Sequence, residues 1–97
     1  MVVGIGKITF RLYECRSLKS KRSIVKPIIA RLSNSFNISI AEVGANDVYQ
    51  KAEIGFALVG NNRTVINSKI DKIFNMADDL GLAEIIDTDM EIINCGG

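Results

Sequence analysis

Histidine and tryptophan are missing from this 97-residue chain, there is a single proline, and cysteine occurs twice, as Cys15 and Cys95. Each shortage closes off some chemistry. A zinc site takes about four ligands, and two cysteines at no ligand spacing cannot supply them without histidine. No imidazole is present to act as a general base or to orient a nucleophile. The isolated glycines fit neither a dinucleotide-binding fingerprint nor a P-loop. The expectation is therefore a protein without metal or cofactor and without catalytic residues. Apolar runs stay far below the ~18 residues of a membrane span, and the opening MVVGIGK has neither a charged n-region nor a cleavage pattern. A cytoplasmic protein with two free thiols is predicted. Aromatics are also sparse, four Phe and two Tyr, so the core has to be built from Ile, Val and Leu.

Acidic residues are absent from Arg16–Arg31, which reads RSLKSKRSIVKPIIAR. The segment carries Arg16, Lys19, Lys21, Arg22, Lys26 and Arg31 together with Ile24, Val25, Ile28 and Ile29 at helical spacing. One piece of chain thus docks a helix on the core and shows a basic face outward. The overall charge of +1 hides this asymmetry. Residues 1–40 hold eight Lys/Arg against one Glu, a net of +7; residues 41–97 hold four against ten Asp/Glu, a net of −6. Such a split points to an anionic partner, to self-association, or to two halves that neutralise each other in the fold.

Val2–Tyr13 alternates Ile8, Phe10 and Leu12 with Lys7, Thr9, Arg11 and Tyr13, the period of a half-buried strand. Gly4 and Gly6 within it suggest a close backbone approach or a bend. Ser17 is placed to cap a helix from Leu18 to about Phe36, with a kink at Pro27. On its wheel Lys19, Arg22 and Lys26 share an outward stripe, Arg31 flanks it, and Lys21 lies nearer the core side. Strands follow at Ile38–Gly44 and Lys51–Val59. A second helix, capped by an Asn and ended by Gly81, shows Ile66, Ile70, Ile73, Phe74, Ala77 and Leu80 on one face. The last strand spans Leu82–Ile93, with Ile86, Thr88, Met90 and Ile92 alternating against Asp87, Asp89 and Glu91; Asn94–Gly97 is a tail. The order βαββαβ in one domain, residues 1–97, predicts an α+β ferredoxin-like sandwich: a four-stranded antiparallel sheet, order 4-1-3-2, with both helices on one face.

That topology separates Cys15 from Cys95 by about 30 Å, which excludes a disulfide between them. On the open sheet face Tyr13 alone could stack a base, and Asp87, Asp89 and Glu91 are expected to pair with Lys7 and Arg11. The small residues there could instead pack against a second copy, giving a homodimer. The loop bearing Glu42, Asp47, Gln50 and Lys51 offers a carboxylate pair near an amine, but no nucleophile accompanies it.

Ser17-Leu18-Lys19 followed by Lys21-Arg22 resembles the SLKxKR signature of the YlxP-like family of small uncharacterised bacterial proteins. Ala41-Glu42-Val43-Gly44, Asp47, Tyr49-Gln50-Lys51-Ala52, Ile54-Gly55 and Val59 are similar to that family's second motif, with Tyr49 where Trp is usual. The likeness covers essentially the whole chain and implies a ferredoxin-like fold. Members tend to be encoded near translation and ribosome-maturation factors, which implies a role around RNA or the ribosome. The residues and the resemblance together predict a non-enzymatic module that binds RNA or a ribosomal particle. Arg16, Lys19, Lys21, Arg22 and Lys26 are the expected phosphate contacts, with Arg31 peripheral. The alternative is a homo-oligomeric interaction module whose basic helix docks an acidic protein.

Overall fold

The computed structural model describes residues 1–96. Its elements are β1 (Val2–Arg11), α1 (Leu18–Ser35), β2 (Ser39–Gly44), β3 (Lys51–Gly60), α2 (Arg63–Asp79) and β4 (Glu84–Asn94). All strand pairs are antiparallel and the sheet order is β2-β3-β1-β4. This is the expected order read from the other edge. The proposed tail starts at Cys95, one residue later than anticipated, and its last residue, Gly97, lies outside the described residues.

Alternation sorts the strands into two faces. Ile8, Phe10 and Leu12 of β1 and its extension, with Ile54, Phe56 and Leu58 of β3, are buried under the helices. Val25, Ile28 and Leu32 of α1 and Ile66, Ile70, Ile73 and Ala77 of α2 close over them. Gly6 has to be glycine for contact reasons, since a Cβ there would enter the Phe56 ring. That is the close approach its position in the strand suggested.

Both helices start as the sequence indicates. The Ser17 hydroxyl accepts from the Ser20 amide at 3.0 Å, and the Asn62 side chain accepts from the Val65 amide at 3.1 Å. Each satisfies one orphan donor of the first turn. α1 runs unbroken through Pro27, which is exposed. Gly81 follows α2 at φ +63°, the left-handed cap.

The last strand departs from expectation. A bulge between Thr9 and Phe10 sets Asp87 against Thr9 but Ile85 against Phe10, leaving Ile86 as the extra residue. Ile86 is therefore not part of a continuous alternation with Thr88, Met90 and Ile92. The bulge is invisible in β4 alone because it depends on where the partner strand bends. No helix among the described residues is long and apolar enough to cross a membrane.

Candidate nucleic-acid interface

An ideal helix turns each residue by about 100°, which places Lys19, Arg22 and Lys26 within roughly a 60° arc. All three are exposed, as is Arg16 just before the helix. Lys21 falls about 130° away from the middle of that arc, in line with Val25, Ile28 and Leu32. Those four are the buried residues of α1. Arg31 is exposed but lies about 150° around the helix from the middle of that arc, so it does not flank the stripe as its sequence position suggested.

Lys21 needs correction as a phosphate contact. It is 2% exposed, and its ammonium is fully engaged inside the protein. Nζ donates to the Ala45 carbonyl at 2.6 Å and to the Val48 carbonyl at 2.9 Å, and it lies 2.8 Å from Glu42 Oε2. Two carbonyls accept from the ammonium, and the Glu42 carboxylate stands beside it as the counter-charge. The carboxylate oxygen is buried and accepts no hydrogen bond, so its partner is the ammonium charge itself. An ion pair of this kind holds only when the rest of the lysine's donors are satisfied, and here the two carbonyls satisfy them. The left-handed Ala45, φ +57°, belongs to the turn that brings its carbonyl to Nζ. Lys21 thus fastens the start of α1 to the β2–β3 connection.

The same connection is tied a second time. Gln50 Nε2 donates to the Cys15 carbonyl at 2.6 Å, and the Leu12 amide donates to the Gln50 carbonyl at 2.9 Å. Of the loop residues considered for acid–base chemistry, Glu42 and Gln50 are committed to these contacts, while Lys51 lies 4.0 Å from Glu53. Cys15 is buried and Cys95 partly buried, both as free thiols.

Arg16, Lys19, Arg22, Lys26 and Arg31 form no ion pair among the described residues, although Asp71, Asp78 and Asp79 lie on the neighbouring helix. Four cations, Arg16, Lys19, Arg22 and Lys26, therefore project from one loop–helix junction with their charges uncompensated. Arginine forks and lysine ammonium groups in such a cluster match phosphate oxygens.

The open face differs from expectation in its charge pairing. Lys7 lies 3.7 Å from Glu53 on β3 rather than against the acids of β4, and Arg11 sits over the Tyr13 ring at 5.8 Å. Hydrogen bonding toward the Glu84 carboxylate, with desolvation and the same negative charge, pushes the Tyr13 phenol above its ordinary pKa. Tyr13 thus has a cation over its ring, a poor platform for a base. Beside Lys7 a shallow hollow of about 370 Å³ is lined by Ile5, Ala41, Val43, Gly55 and Ala57.

Sequence pattern alone does not give Glu42 as the partner of Lys21. A signal was present: a lysine in register with Val25, Ile28 and Leu32 has to find an acceptor within the fold.

The profile of the family described as "Protein of unknown function (DUF503)" matches residues 3–90. The chain is also 31% identical over 77 residues to "Uncharacterized protein YlxP" of Bacillus subtilis (strain 168), covering 79% of this chain and 84% of that protein.

Proposed function

The chain belongs to the DUF503 family, and we propose that it is a non-enzymatic module of the cytoplasm that binds RNA, free or within a ribosomal particle. Its contacts are to phosphates through Arg16, Lys19, Arg22 and Lys26. The observation that carries this reading is that these four cations are exposed, adjacent and unpaired while Lys21, amid them, is spent on structure. Phosphate contacts of this type set affinity and position rather than sequence preference.

A salt series on a structured RNA tests the proposal. Four neutralised phosphates give a slope of log affinity against log salt of about −3, at roughly 0.7–0.9 per contact. The folded variant Lys19→Glu/Arg22→Glu/Lys26→Glu should flatten that slope to near −1, from the one remaining cation. A wild-type protein that binds no RNA even at low salt would remove the reading and leave an acidic protein as the partner of this helix.

A second reading concerns assembly and rests on the apolar hollow around Ala41, Gly55 and Ala57, with Ile5, Val43 and Val59 exposed beside it. A second copy packed sheet to sheet would cover these residues and leave both basic helices on the outside, so the two readings are compatible. Sedimentation should give a dimer mass that Val43→Glu converts to a monomer. A wild-type monomer at high concentration would exclude this assembly.

A further inference from the structure

We infer that Tyr49 is a stacking platform for an unpaired base, so that the RNA this module takes is single-stranded or looped at the site; the inference rests on the phosphate reading of the same junction. Tyr49 is 40% exposed, with Val48 exposed beside it in the chain. An aromatic at such a position in a six-residue connection could occupy many places, but here its backbone is held on both sides. Val48 on one side accepts from Lys21, and Gln50 on the other donates to Cys15, the residue before Arg16. The segment that carries the free cations is therefore also the segment to which Tyr49 is fastened. Two side-chain ties, from Lys21 and Gln50, fix a loop that exposes Val48 and Tyr49 next to the polar Asn46 and Asp47.

This pairing has a chemical meaning. A lone cationic cluster suits any polyanion, including a duplex. An exposed aromatic on a loop tied to the same segment adds a surface for the π-face of a base, which only an unstacked nucleotide can present. Tyr13, the other tyrosine, does not serve, because Arg11 lies over its ring. Lys21 acts here as a positioning residue, since its contacts hold the Tyr49 loop to the start of the helix that carries the cations.

The experiment compares a single-stranded oligouridylate with a blunt RNA duplex of equal length, using wild type, Tyr49→Phe and Tyr49→Ala. Tyr49→Ala should weaken oligouridylate binding roughly 5- to 100-fold, the range for one stacked base, while duplex binding stays within about twofold of wild type. Tyr49→Phe, which keeps the ring, should bind both RNAs as wild type does. Because the chain has no Trp and two Tyr, a Tyr13→Phe background makes Tyr49 the sole tyrosine. Its fluorescence should then be quenched by oligouridylate and not by duplex. Unchanged oligouridylate binding by Tyr49→Ala, with the triple charge variant still defective, overturns the platform and leaves the phosphate site standing. An equal loss on both RNAs makes Tyr49 structural and likewise overturns it. No binding of either RNA by wild type removes the phosphate reading and this inference with it.

Discussion

The two helices bury the same row of positions counted from their caps. In α1 the row is Lys21, Val25, Ile28 and Leu32; in α2 it is Ile66, Ile70, Ile73 and Ala77. Lys21 and Ile66 each stand four residues after the cap, and each backbone amide donates to the cap carbonyl at 3.1 Å. Ile66 fills the space over Gly4 and Gly60, where a Cβ on either glycine would strike it. Lys21, at the equivalent position, reaches instead to Glu42, Ala45 and Val48. The helices also differ in balance: α1 carries five cations and no acid, whereas α2 carries three of each. Opposition to the helix dipole does not separate them, because α2 begins with Arg63 and ends with Asp78 and Asp79. What separates them is that α2 closes the core and balances its own charge, while α1 also fixes a loop and leaves its outer cations free. One helix is scaffold, the other is scaffold and surface.

Replacing Lys21 by isoleucine, which gives α1 the pattern of α2, is the most severe way to break that contrast. Removing one member of a buried pair leaves an uncompensated charge and typically costs 3–5 kcal/mol. Glu42 keeps about a quarter of its side chain exposed, so the lower end, about 3 kcal/mol, is expected by urea denaturation. Lys21→Ile/Glu42→Leu should recover part of the loss. It cannot recover all of it, because the carbonyls of Ala45 and Val48 still lack their donor. A single variant as stable as wild type would mean that Lys21 is not structural and is free to meet a ligand.

The features that sequence pattern could reach were those with local causes. Period two in β1 and β3, the Ser17 and Asn62 caps, and Gly81 after α2 each depend on residues within a turn or so of one another. Lys21 was half legible. Its position on the wheel pointed to the core side, but its charge grouped it with Lys19 and Arg22. The deciding partner, Glu42, is brought near only when β2 is laid beside β3 and under α1. The β4 bulge is of the same kind, set by pairing with β1 at Thr9 and Phe10. Lys7 shows a third instance: its register opposes Asp89, yet its amine goes to Glu53 on the other neighbouring strand. Two acidic neighbours were available, and strand alternation alone cannot choose between them.

Ala45 provides the finest test of the contrast, because its left-handed backbone is part of the arrangement that a lysine at position 21 requires. An L-residue in that conformation costs roughly 1–2 kcal/mol, and glycine there avoids most of it. Glycine also gives the unfolded chain more freedom, which offsets about 0.5–1 kcal/mol. Ala45→Gly should therefore stabilise the protein by about 0.5 kcal/mol, visible as a small rise in the urea midpoint with unchanged slope. The same substitution in the Lys21→Ile background should gain nothing, since a loop with no ammonium to reach can relax out of the strained turn. The two changes would then be non-additive, as expected for residues in direct contact. Equal gains in both backgrounds would show that Ala45 is held left-handed by the β2–β3 connection itself, and that Lys21 only exploits a carbonyl already turned its way.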